Sequence, residues 1–269
     1  MAKGIFCTIA TIIAAAVAAL LSGSAAQAED KPVWTGPFGG TFNANFAVTT
    51  DYSYRGLSQT QRGVAGQAGF GYETPALSAA IPLTAYLQAW GSNVNFPGTG
   101  AAIEVDTIGG VRFKALGDKL VLDASFMRYN YPGGAYNSRL DFSEYGFLVS
   151  YDFDVVQLTA GLHYSPDFFG ASGVAWYKQL LATVPLNFIK VNDNLSFKLF
   201  GSIGSQYVEK NALYGIPNND YWDWQLGITM TAFTVDFSLA YTDTNIDVAG
   251  CANTYNCEAR AIFTVSKTF

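Results

Sequence analysis

Residues 103–114 read IEVDTIGGVRFK. Ile103, Val105, Val111 and Phe113 fall on one parity, and Glu104, Asp106, Arg112 and Lys114 fall on the other. Successive side chains of an extended chain point to opposite faces. As a strand, this segment has one oily face and one face carrying all four charges. A lipid-facing arginine or lysine near a bilayer midplane costs about 2–4 kcal/mol. Sorting of this strictness predicts a sheet with lipid on one side and a wet interior on the other.

The same alternation recurs along the chain. Phe42, Ala44, Phe46 and Val48 oppose Asn43, Asn45 and Thr49. A weaker, glycine-rich run sets Val64, Ala68, Phe70 and Tyr72 against Gln67. Further runs place Asp123, Glu144, His163, Lys198, Asp223, Asp236 and Arg260 on polar faces, each against an apolar row. An eighth run, residues 174–186, has no clear facing. The pattern predicts an all-β chain of about twelve strands, an even number as in single-chain bacterial barrels. Short connections (116–118, 153–154, 192–194, 232–234 and the slightly longer 74–79) alternate with long ones (51–62, 92–101, 130–140, 166–172, 208–220 and 246–257). Short periplasmic turns and long external loops are the rule for transmembrane barrels. A β-sandwich also sorts its faces, but with the polar face outward, and the sequence does not say which face points out.

Composition agrees with a membrane barrel. The chain is 50% hydrophobic and 15% aromatic but only 13% charged, against about 25% in ordinary soluble domains. After the N-terminal segment no apolar run is long enough for a membrane helix, and only helices and closed barrels pair every backbone group inside a bilayer. A formal net charge of −6 lacks the basic footprint that nucleic acid requires.

At the N-terminus, Lys3 precedes an apolar run over 5–21, followed by Ala26-Gln27-Ala28 and then Glu29-Asp30. This is the pattern of a cleavable secretory signal peptide over 1–28, with one outer-membrane barrel domain over 29–269. An uncleaved anchor is the alternative; the small-residue exit and the lack of a following positive charge speak against it. Cys7 lies in that leader. Cys251 and Cys257 remain, and an exported chain crosses an oxidising compartment, so they are expected to pair as a disulfide staple.

Trp90, Tyr129, Tyr131, Tyr164, Trp176, Trp222, Trp224 and Tyr241 cluster near predicted strand ends. They are read as interfacial girdles, rings with a greasy body and a polar edge. A simple strand preference of aromatics is the plainer alternative.

Residues 46–60, FAVTTDYSYRGLSQT, resemble the opening motif of the TorF family of porins, proteobacterial outer-membrane proteins. The resemblance recurs at Ala89-Trp90-Gly91-Ser92-Asn93-Val94 with Glu104 and Asp106. It appears again at Tyr164-Ser165-Pro166-Asp167-Phe168-Phe169-Gly170 and at Val265-Ser266-Lys267-Thr268-Phe269. It implies a porin without naming a solute. The terminal phenylalanine also resembles the signal read by barrel-assembly machinery, an expected partner during insertion.

One short motif points towards catalysis. Gly161-x-His163-x-Ser165 is similar to the short histidine–serine signature of outer-membrane phospholipases. That pattern continues with Asn-Gly, where this chain has Pro166-Asp167, and His163 falls on the polar face. The expectation is no enzyme, no cofactor and no metal, since no set of ligands at metal spacing occurs. Asp51 and Arg55 flank two tyrosines in the first long loop and are expected to pair and order it, or to bind a ligand.

The expected pore-lining residues are Glu104, Asp106, Arg112, Lys114, Asp123, Glu144, His163, Lys198, Asp223, Asp236 and Arg260. About twelve strands enclose a narrow bore, where side chains or an infolded loop set the constriction. The small acidic excess leans towards cations or neutral solutes. The expected function is passive diffusion of small hydrophilic solutes or ions across the outer membrane, with outer-membrane lipid outside. The alternative is a non-conducting structural or ligand-binding barrel, which a filled lumen would favour. The sequence is silent on oligomeric state.

Overall fold

A computed structural model of the chain describes residues 34–189 and 191–269; the expected signal peptide and Cys7 lie outside the described residues. Twelve strands form one closed antiparallel barrel. They are β1 (Thr41–Thr49), β2 (Ala65–Glu73), β3 (Leu83–Asn93), β4 (Ile103–Ala115), β5 (Leu120–Asn130) and β6 (Phe142–Asp152). The second half comprises β7 (Gln157–Ser165), β8 (Ala175–Pro185), β9 (Leu195–Val208), β10 (Asp220–Ala232), β11 (Val235–Thr244) and β12 (Arg260–Thr268). Each strand pairs with its sequence neighbour, and β12 returns to β1 through Val265↔Val48 and its neighbours. Closure leaves no long unpaired edge, the condition for β-structure in lipid. It also disposes of the two-sheet sandwich.

The burial pattern is the inverse of a soluble core. Phe46, Phe70, Leu87, Phe147, Leu180 and Phe263 stand exposed on the outside. Thr49, Gln67, Gln88, Glu104, Glu144 and Gln206 are buried inside. The parity expected for each assigned strand is the one observed. Register settles β8 as well: Ala175, Tyr177 and Gln179 lie on the inner side, while Trp176, Lys178 and Leu180 lie on the outer.

One end carries the turns, the tightest over 233–234; two of them, 74–82 between β2 and β3 and the one between β8 and β9, are longer than expected. The other end carries six long loops, L1 (50–64), L2 (94–102), L3 (131–141), L4 (166–174), L5 (209–219) and L6 (245–259). L5 contains the one-turn helix α1 (Asn211–Tyr214). Cys251 and Cys257 form a disulfide in L6.

Candidate functional site

The chemistry of this fold lies in its lumen, and the lumen is built around L1. Ser53–Tyr54 and Leu57–Ser58 pair with each other and not with the barrel. Between them, Arg55 (φ 49°) and Gly56 (φ 81°) are both left-handed, as the two central residues of a type I′ hairpin turn must be. Glycine suits the second position for a further reason. A Cβ there would lie 2.4 Å from Thr244 Cγ2 and 2.8 Å from Asp223 Cβ, so the hairpin tip is seated against the inner wall.

Tyr52, Ser53, Arg55 and Gly56 each have a partner on the barrel wall. The Tyr52 hydroxyl donates to Glu104 at 3.0 Å. Arg55 donates to Glu144 at 2.6 Å and to the Gln206 side-chain carbonyl at 2.7 Å. Its own backbone carbonyl accepts from the Tyr221 hydroxyl at 3.1 Å. Tyr129 also donates to Glu144, at 3.1 Å. Alongside the hairpin, Arg260 forms a buried ion pair with Asp51 at its base and donates to the Ser53 hydroxyl and, at the turn, to the Gly56 carbonyl. Asp51 and Arg55 therefore do not pair with each other as expected; each meets a strand far away in sequence. Burial, reinforced by Glu104 and Asp106, holds the Tyr52 hydroxyl well above its ordinary pKa. Burial raises Tyr54 likewise, outweighing the opposite pull of Arg55. Both phenols are thus neutral donors below about pH 10.

Above the hairpin the loops close into an apolar lid. Val94 and Ala101 of L2, Tyr131 and Leu140 of L3, Phe168 of L4, Ile216 of L5 and Ile246 of L6 are buried in one cluster with Tyr52 and Tyr54. Phe96, Tyr131 and Phe169 meet ring to ring. Three supposed girdle residues belong here instead. Trp90, Tyr129 and Tyr131 are buried inside, where Trp90 packs on Tyr52 and Tyr129 packs on Tyr54 and stacks on Phe142. Tyr164, Trp176, Trp222, Trp224 and Tyr241 lie on the outer face.

The eleven expected residues fall on the inner parity of their strands, but they do not form one ring. Glu104, Asp106, Glu144, His163, Asp223 and Arg260 surround the hairpin in the loop half, each buried. Asp106 has no hydrogen-bond donor on either carboxylate oxygen. Asp223 accepts from the Tyr177 hydroxyl at 3.1 Å, and Gly204 leaves the space for that hydroxyl. In the turn half Arg112 bridges Glu73 at 2.7 Å and Asp123 at 3.1 Å. Lys114, Lys198 and Asp236 are only partly buried near the turn end, as are Asn43 and Asn45. The loop half is thus packed and the turn end is open to solvent.

His163 and Ser165 do share the inner face, yet they are engaged separately. His163 meets the Gln179 amide at 3.1 Å, and the Ser165 hydroxyl donates to the Ser143 carbonyl at 2.7 Å.

A family model matches residues 34–269, the whole span of the described residues. The chain belongs to the Gcw_chp family, described as a bacterial protein of unknown function. No curated protein matches it. Among solved structures it is similar to the NanC porin, with 10% identity, a TM-score of 0.47 and coverage of 84% of this chain and 98% of that one. It is also similar to an outer membrane channel from Pseudomonas putida F1, with 10% identity, a TM-score of 0.45 and coverage of 90% and 100%. LpxR from Salmonella typhimurium shares 12% identity at a TM-score of 0.42, over 84% and 99%. For this member of the family, the polar lumen and the hairpin within it are the site to be explained.

Proposed function

We propose that this protein is a narrow outer-membrane channel for small hydrophilic solutes or ions, held closed at rest by the L1 hairpin. The single observation that supports it most is the placement of charge. Polar and ionisable groups line the inside of a closed cylinder whose outside is apolar apart from a few charges, Arg128 and Lys178 near the loop end among them, which suits a hydrated path rather than a packed core. The lining comprises Glu104, Asp106, Arg112, Lys114, Asp123, Glu144, His163, Lys198, Asp223, Asp236 and Arg260. The resemblance of residues 46–60 to the TorF porins supports the same reading, and those residues include the hairpin itself.

Closure is a property of L1 and the lid, not of the barrel wall, because the hairpin takes no part in the barrel ladder. The long loops face outward and the turns face the periplasm. Outer-membrane lipid contacts the Phe46, Phe147 and Leu180 face. The Phe269 end would be what the assembly machinery engages. A second reading has an observation of its own. The filled loop half favours a non-conducting barrel that binds a ligand or serves a structural role.

Planar-bilayer recording separates the two. The full-length protein is expected to give rare or small steps. A variant with 52–61 replaced by a short glycine–serine linker is expected to give frequent, larger, stepwise conductance. A folded linker variant that stays silent would establish the non-conducting barrel.

A further inference from the structure

The contacts of Arg55 describe more than a staple. Its planar guanidinium places two nitrogens on two different acceptors, Glu144 at 2.6 Å and Gln206 at 2.7 Å. The faces of that plane are covered by rings, Tyr177 at 4.2 Å and Tyr54 at 4.7 Å from the guanidinium carbon, with Phe168 at 5.8 Å. The acceptors are themselves fixed. Gln206 uses its amide nitrogen on the Tyr207 carbonyl at 3.0 Å, which turns its oxygen to Arg55. Glu144 accepts from Tyr129 on the same oxygen. Four of the five cage members, Glu144, Gln206, Tyr177 and Phe168, belong to the barrel wall or to L4, so they remain when the hairpin leaves.

We propose that the lumen contains a guanidinium-binding cage that Arg55 fills as a tethered stand-in, and that a free solute bearing a guanidinium group takes its place when the hairpin withdraws. The cage stands on binding geometry alone; passage of that solute rests on the channel reading above. Forked donation to a carboxylate and an amide oxygen, with rings on the faces, selects guanidinium over ammonium. An ammonium is a point charge that does not stack. Withdrawal of Arg55 leaves Glu144 without its counter-ion, an uncompensated carboxylate that a bound cation would offset. The surrounding charge agrees. Asp106 and Asp223 also lack a cationic partner among the described residues, so acidic side chains outnumber basic ones around the hairpin. The type I′ turn presents Arg55 at its tip, with Tyr54 beside it as the hairpin's own member of the cage.

The test is a calorimetric titration of the purified, detergent-solubilised barrel with methylguanidinium chloride, using methylammonium chloride as the matched control. Arg55→Ala is expected to bind methylguanidinium saturably, and methylammonium far more weakly. Arg55→Ala combined with Glu144→Gln is expected to weaken methylguanidinium binding by roughly tenfold or more. The wild type, its cage already filled, is expected to bind weakly. Arg55→Gln, which keeps the stem, replaces Arg55→Ala if the latter does not fold. In the bilayer, methylguanidinium is expected to block the current of Arg55→Ala in a concentration-dependent way. A folded Arg55 variant with no saturable binding overturns the cage, as does equal affinity for the two cations or indifference to Glu144→Gln. Binding without current in any variant upholds the cage and rejects the channel. Current without binding does the reverse.

Discussion

Arg260 shows how a single side chain holds the hairpin in place. It is buried against Asp51, and their side chains are 3% and 4% exposed. It also donates to backbone carbonyls of Gly56, Asn256 and Glu258, so L1 and L6 are tied to the same guanidinium. Removing one partner of a buried ion pair strands the other and costs about 3–5 kcal/mol, whereas replacing both by apolar groups is far milder. Arg260→Met is therefore expected to destabilise the seated hairpin by about that amount. Addition of Asp51→Leu is expected to restore much of the loss. Hydrogen exchange at the Ser58 amide reads it directly, since its bond to the Asn256 carbonyl joins L1 to L6 and lasts only while L1 is seated. Equal protection in the single variant and the wild type would show that Arg260 is not the anchor.

At the scale of elements, the strands were legible and the loops were not, for one physical reason. Strand facing is written locally, because neighbours two apart share an environment; hence Glu104, Asp106, Arg112 and Lys114 sort together within twelve residues. The hairpin's partners lie 52 to 209 positions away, and no local pattern carries that information. Trp90, Tyr129 and Tyr131 were misplaced for the same reason. A ring near a strand end suits the membrane interface or a plugged lumen equally well, and only the three-dimensional neighbour decides. A usable signal did exist in Tyr52-Ser53-Tyr54-Arg55-Gly56-Leu57-Ser58, where alternating residues flank a two-residue turn ending in glycine, a hairpin pattern inside a nominal loop. Apolar Val94, Phe96, Phe168 and Ile216 in nominally wet loops likewise hinted at a lid. L6 makes its own prediction. The Cys251–Cys257 bridge closes a short loop whose Asn256 carbonyl receives the Ser58 amide, and loops of this size are stabilised by about 2 kcal/mol. Replacing both cysteines by serine is expected to speed exchange at Ser58 and leave the β9–β12 amides protected. Loss of protection throughout the barrel would mean that the bridge supports the wall and not only the lid.

For the whole molecule, the governing fact is the inversion of faces. Buried arginines and carboxylates are costly unless paired, and the barrel meets that cost with a lumen in which Arg55, Arg112 and Arg260 each find carboxylates. The same cylinder leaves Ala160, Leu162 and Leu180 on its outer face, where a bilayer would cover them. Spin labels placed one at a time along β7 and β8 in reconstituted bilayers test this most directly, by their collision rates with oxygen and with a water-soluble nickel chelate. Labels at Ala160, Leu162 and Leu180 are predicted to favour oxygen, and a label at Thr183, on the inner wall towards the turn end, is predicted to favour nickel. Nickel preference at the first three positions, with oxygen preference at Thr183, would contradict a lipid-facing exterior around a polar lumen.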